Sequence, residues 1–344
     1  MIKRLLVPLV ALALWGCLPA IEAHASFPGE NGRIAFRRFL NQEQDWGAVF
    51  TINPDGRGER QVTFPPPGVV DRNPDVSPDG RRIVFERQAQ TSAEIYVVNA
   101  DGTGLKRLTE GVGCSDCEAG PVFDESGSPG WSPDGRKIVY RRAWGTITDD
   151  LIETQALFVM NADGTGKRQL TQLKTPHRGE DSDPQWSPDG RRIVFQRWNV
   201  RGALPDWATA LWILDLRSGR EWRITPWDLR AGDTPDWSPD GRRILFHSNV
   251  EGPTEESANL YTVRPNGTGL KQLTFETGGV LNYLGSSYSP DGKWITVGRR
   301  PATGGAADVY VMRADGTRIR PLTRTVLYDS YPDWGPKVSK VHRR

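Results

Sequence analysis

The sequence predicts an all-β chain, folded as a six-bladed β-propeller of four-stranded antiparallel blades. Three observations lead there. The string Ser-Pro-Asp-Gly occurs five times, at Ser77, Ser132, Ser187, Ser238 and Ser289, at steps of 55, 55, 51 and 51 residues. A fixed period of this size marks a repeat architecture. Each full period holds four short runs rich in β-branched residues, separated by turn signals, which is the content of one propeller blade. The two ends of the chain are complementary fragments of that same unit.

In chain order, Lys3 and Arg4 precede an apolar stretch from Leu5 to Trp15, and Ala23-His24-Ala25 is a small-x-small cleavage signal. Residues 1–25 therefore read as a secretory signal peptide, too short in its apolar run to span a membrane. Leu14-Trp15-Gly16-Cys17 is a poor lipoprotein box because Trp15 is bulky, so no anchor is expected at Cys17. Next come Gly32–Phe36, Val49–Ile52 and Gln61–Thr63, three strands with no first strand before them.

The second copy is complete. It runs from Asn73-Pro74-Asp75-Val76-Ser77-Pro78-Asp79-Gly80 through Ile83-Val84-Phe85 and Ile95-Tyr96-Val97-Val98 to the turn Asn99–Gly104 and Arg107-Leu108-Thr109. In Ser-Pro-Asp-Gly, Pro presets φ, Asp suits the second central position, and Gly accepts the left-handed conformation. Asn-x-Asp-Gly closes the next hairpin; it repeats in register and lacks the later bidentate Glu of a calcium loop. Trp131, Trp186 and Trp237 precede three of the repeated serines, with Val76 and Tyr288 at the same place in the others. Their recurrence predicts packing between neighbouring blades. After the last copy, Tyr331–Pro336 is a lone first strand. It is expected to complete the N-terminal blade, so that one propeller spans 26–336 with no open sheet edge. Residues 337–344 read as a basic flexible tail.

Composition agrees. The 344 residues include 37 Gly and 26 Pro, and the net charge of +2 gives no electrostatic case for nucleic acid. The mature chain is expected to be a monomer with no transmembrane span, periplasmic or secreted. Beyond the leader only Cys114 and Cys117 remain. In an oxidising compartment a local disulfide is the leading reading, with two free thiols as the alternative.

Trp-Ser-Pro-Asp-Gly-Arg-x-Ile-x-Phe, then Ile-Tyr-Val-x-Asn-x-Asp-Gly-Thr and Arg-Leu-Thr, resembles the repeat of the TolB-type propeller family, also called the WD40-like or PD40 repeat. Five good copies and one split copy cover residues 27 to 336. The resemblance implies the propeller fold. TolB itself is a periplasmic non-enzyme that binds the lipoprotein Pal, so the resemblance implies a protein or peptide partner, an envelope lipoprotein among the options. Similar propellers are attached to peptidases and occur in some pectate-fragment lyases. TolB carries an N-terminal α/β domain, and this sequence resembles a standalone member without it.

In a four-stranded blade the short Ser-Pro-Asp-Gly and Asn-x-Asp-Gly turns share one face. The long irregular segments fall on the other, and one-sided insertions mark a binding face. Those segments hold Trp46, Trp144, Trp198, Trp207 and Trp227, with Arg142, Arg201 and Arg230 as companions. Such residues serve as contact anchors at interfaces, and the same aromatics stack on sugar rings in the alternative carbohydrate-binding reading. Residues just before each first strand are expected at the channel mouth: Asp71, Asn73, Asp181, Asp183, Asp233 and Asp329. They are read as solvated polar lining, with a Ca²⁺ site as the alternative.

No catalytic set is visible. The mature chain has His177, His247 and His342 and no Gly-x-Ser-x-Gly elbow. Asp149, Asp150 and Glu153 supply carboxylates for a glycan hydrolase or lyase, but nothing places them across a cleft. The expectation is an exported, non-enzymatic, protein-binding propeller without a cofactor.

Overall fold

The computed structural model describes residues 27–90, 92–111, 122–146, 152–172, 180–199, 208–232, 234–248, 258–276, 281–301 and 305–338. These residues form an all-β propeller of four-stranded antiparallel blades. Each blade runs from an inner strand to a short outer one, as Glu180–Trp186, Arg192–Trp198, Thr209–Asp215 and Glu221–Arg223 do. Four sheets have this form. A fifth holds eight strands and consists of two such arrays. One array begins with Val70–Val76; the other contains Asn31–Phe39 and Gly47–Ile52. Their strands pair at a single parallel position, Gly47 with Val70. The C-terminal strand Asp329–Pro336 lies antiparallel on Asn31–Phe39, as the sequence predicts, with Ile34 opposite Trp334. The only helical turn among the described residues is a 3-10 turn, Trp227–Leu229.

The repeated motif is a closed hydrogen-bonding device. Ser187 Oγ donates to Asp189 at 2.6 Å and accepts from the Arg192 N–H at 2.9 Å, and the other four copies repeat the pattern. Gly80, Gly135, Gly190, Gly241 and Gly292 close these turns at φ between 66 and 71°. The Leu-Thr signature has a cause as well. The hydroxyls of Thr63, Thr109, Thr171, Thr225, Thr274 and Thr323 accept the N–H of Val49, Ile95, Leu157, Leu211, Leu260 and Val309 at 2.8–3.0 Å. Each bond satisfies an amide that the two-residue outer strand leaves unpaired.

The core is a series of inter-blade layers. Trp131 packs with Val84 and Ile95 of the preceding blade, Trp186 with Val139 and Leu157, and Trp237 with Val194 and Leu211. Trp334 packs with Val309 and Val311 of the last sheet, so the C-terminal strand joins the two ends of the chain. This is the packing role expected of the periodic aromatics.

Candidate functional site

The inner strands position the site. Five of them carry a bulge, and a left-handed residue stands at the axis in or just before each: Asn73, Ser128, Asp183, Thr234 and Tyr331 lie at φ 49–51° and Gly285 at 66°. Non-glycine residues seldom adopt this conformation. In five copies the next residue is Pro, at 74, 129, 184, 235 and 332. A proline has no N–H to leave unpaired in a bulge. All these residues border one narrow cavity of about 70 Å³ at the axis.

Below the bulges, three carboxylates tie a blade to the one that follows it. The Trp131, Tyr288 and Val76 N–H groups donate to Asp75, Asp236 and Asp333 at 2.7 Å. Burial pushes the Asp75 carboxyl well up, and the Asp333 charge adds to this; burial raises Asp333 to about 6. These acids were not among the sequence candidates. Their signal was legible as x-Pro-Asp ending two residues before the repeat serine or its C-terminal counterpart, at Asp75, Asp236 and Asp333.

On the long-loop side the channel widens into a funnel of about 850 Å³. One wall is charged: Arg37, Arg72, Glu86 and Arg141 line it. Glu86 is buried and accepts from Arg72 Nε at 2.8 Å and the Ser128 N–H at 3.1 Å. Burial raises its carboxyl, but Arg72 and Arg141 outweigh that and hold it below the ordinary carboxylate range. A Cβ on Gly127 would lie 2.4 Å from Glu86 Oε2, so only glycine leaves this carboxylate its place. The Arg141 Nε is buried with no hydrogen-bond acceptor. The lining also carries Trp198, Tyr283, Leu284 and Tyr331, and the Arg37 guanidinium lies 4.9 Å over the Tyr331 ring. Burial, then the charge of Glu276, pushes the Tyr283 hydroxyl up to about 12, and it donates to Glu276 at 3.0 Å.

The wall residues Arg37, Glu86, Arg141, Gln196, His247 and Gly298 share one register position in the second strand of their blades. Their chemistry varies while their neighbours repeat, and that variation was the available sequence signal for the funnel.

The structure separates the sequence candidates. Trp198, Arg230, Asn73 and Asp183 line the funnel. Trp46 is half-buried and donates Nε1 to the Pro65 carbonyl at 3.0 Å. Trp144 stands in a strand that extends to Thr146, edge-on to Phe158 at 5.9 Å, because the expected loop is largely hairpin. Trp227 packs on Trp212 at 6.3 Å. Arg142 is paired with Asp124 at 2.7 Å. Asp71, Asp181 and Asp329 lie within inner strands rather than before them, buried and paired with Arg87, Arg197 and Arg38 at 2.6–2.7 Å. A carboxylate removed from water needs such a partner, so these three are not the open acidic mouth expected. Among the described residues, no three acids, histidines or cysteines are placed to hold a metal, which leaves the calcium reading without support. Trp207, Arg201, Asp233, Cys114 and Cys117 lie outside the described residues, as do the signal-peptide residues 1–25.

No family model matches the chain. The chain is 34% identical over 116 residues to the uncharacterized peptidase YuxL of Bacillus subtilis, covering 34% of this chain and 17% of that protein. It is 33% identical over 135 residues to the Tol-Pal system protein TolB of Anaeromyxobacter dehalogenans, covering 36% and 29%. The matches span less than a third of either relative's length. The crystal structure of TolB from Acinetobacter baumannii superposes with a TM-score of 0.69 at 19% identity, covering 91% of this chain and 69% of that one. The likeness to a protein named as a peptidase overturns the expectation that the chain is not an enzyme; absent motifs in a propeller repeat do not carry that exclusion.

Proposed function

We propose that this chain, a β-propeller of the TolB type, holds a peptide segment of a protein partner in the funnel on its long-loop face. The observation that carries the reading is a funnel of about 850 Å³ whose lining combines Arg37, Arg72 and Arg141 with the rings of Trp198, Tyr283 and Tyr331. Arginines bind backbone carbonyls and carboxylates, and the aromatic rings cover apolar side chains. The narrow axis below makes the funnel a pocket of the size that small ligands and peptide ends occupy.

The scaffold we infer is a ring of six blades, with the eight-stranded sheet counted as two. The weak Gly47–Val70 link and the six left-handed residues around one axial cavity support that count. The leader-like residues 1–25 support export, and likeness to a Tol-Pal system protein supports an envelope location. No helix among the described residues is long and apolar enough to cross a membrane.

The test is capture from an envelope extract by the wild type and by a Trp198→Ala/Arg141→Gln variant, with peptide mapping of what is captured. A mapped segment that binds the wild type, and the variant at least tenfold more weakly, is expected. Equal binding to both overturns the funnel reading. Likeness to YuxL favours a second reading in which the held peptide is a substrate. Turnover of the mapped segment by the purified chain distinguishes the two.

A further inference from the structure

A second groove lies on the opposite, short-turn side, between the blade that follows Ser187 and the one that follows Ser238. There the repeat breaks its own rules in one direction. The outer-strand residue opposite Thr51, Val97, Val159, Thr262 and Val311 is basic in each case: Arg60, Lys106, Arg168, Lys271 and Arg320. Opposite Ile213 it is Trp222. Arg60, Lys106 and Arg320 reach forward to the carbonyls of Ala100, Asp163 and Pro54 in the next blade's turn. Trp222 keeps that contact through Nε1, 3.0 Å from the Pro265 oxygen. In that turn Asn266 replaces the acid found at Asp55, Asp101, Asp163 and Asp315, and Arg264, like Arg313 in the last copy, stands where Asn53, Asn99 and Asn161 stand elsewhere.

A carboxylate is thus lost and a guanidinium gained beside an indole fixed across the blade boundary. Around Trp222, Arg192, Arg220, Arg242 and Arg264 line an open groove of about 590 Å³. The guanidinium carbons of Arg192 and Arg220 each lie 5.8 Å from the Trp222 ring centre. The Arg192 Nε is buried and has no hydrogen-bond acceptor. Asp240 approaches Arg242 only at 3.8 Å, on an exposed pair. Asp215, near Arg192, is held by Ser218 at 2.8 Å.

We propose that this groove binds a doubly charged oxyanion of the phosphate class. Guanidinium groups present paired donors that match phosphate oxygens, and the fixed indole holds two of them in place by cation–π contact. Four clustered like charges repel one another, and a dianion between them removes that cost. The ligand is compact rather than a long polyanion, because the whole chain carries a net charge of only +2.

The experiment titrates the full chain with inorganic phosphate at constant ionic strength, read by calorimetry and indole fluorescence, alongside an Arg192→Gln/Arg220→Gln variant. The thermal midpoint of the variant without phosphate verifies its fold. Saturable binding by the wild type, at least tenfold weaker in the variant, is expected. Co-flotation of the wild type with phosphatidic acid vesicles, whose phosphomonoester headgroup can carry the second charge, reversed by inorganic phosphate, would identify the source as a lipid headgroup. Phosphate binding without flotation would identify a soluble ligand. Absence of saturable phosphate binding, or equal binding by a folded variant, overturns the proposal.

Discussion

Asp333 sits half-buried at the axis, where its carboxylate accepts the Val76 N–H at 2.7 Å and the Ser287 hydroxyl at 3.1 Å. Those bonds favour the charged form, yet burial outweighs them and raises the group to about 6. The sign of the consequence follows. A carboxyl whose folded value lies above its unfolded one binds its proton more tightly when folded, so its contribution is present at low pH and is lost as pH rises toward the folded value. Asp75 is shifted the same way, by burial first and then by the Asp333 charge. The chain is therefore expected to lose stability between about pH 4 and pH 6 through Asp333, by an amount on the order of 2–3 kcal/mol, with Asp75 acting in the same direction. Asp333→Asn keeps an oxygen for Val76 and removes the charge. Urea midpoints at pH 5 and pH 7.5 check this: the fall seen in the wild type should shrink in the variant, and an equal fall in both would refute the assignment.

At the scale of elements, what repeats was legible and what bends was not. Ser187-Pro188-Asp189-Gly190 announced its turn because each residue type answers a local demand of backbone geometry. The bulges at Asn73 and Tyr331 were not legible, since a residue before proline is normally extended and only the ring forces it left-handed. The same limit misplaced Asp71, Asp181 and Asp329: strand residues whose partners lie on the adjacent strand look like open acids until the register is known. Of the site, Trp198, Arg230, Asn73 and Asp183 were found from loop position, whereas Glu86 and Arg141 were hidden inside a regular strand. The outer strand offers a test of element-level reasoning. Thr171 is buried, and its hydroxyl caps the Leu157 amide at 3.0 Å. Thr171→Val keeps the shape and strands that N–H, which costs about 1–3 kcal/mol. Chemical denaturation should show that loss, whereas Thr171→Ser should recover most of it. A neutral Thr171→Val would mean that the outer strand holds without its cap.

For the whole molecule, the decisive contacts are those between the two ends of the chain. The Asp329–Pro336 strand pairs with Asn31–Phe39, Trp334 enters the core beside Val309 and Val311, Asp333 holds Val76, and Arg320 reaches the Pro54 carbonyl at 2.7 Å. The strand pairing, the Asp333–Val76 bond and the Arg320–Pro54 bond each join residues more than 250 positions apart, so none of these three forms until the chain between has folded, and loop closure must be met first. Once formed, they cover the edge of Asn31–Phe39, which would otherwise offer unpaired N–H and C=O groups to other chains. Two variants of graded severity test this. Trp334→Ala leaves the strand and empties a core position that is 4% exposed, with an expected cost of about 3–5 kcal/mol. Deleting residues 331–344 removes strand, indole and carboxylate together, and should shift the chain from monomer to aggregate in light scattering at temperatures where Trp334→Ala is still monomeric. If the closure reading holds, the order of damage is fixed: the deletion associates, the point variant only destabilises. A deletion that stays monomeric and melts with the wild type would show that the inter-blade layers alone hold the ring, and that the terminal strand is an accessory to it.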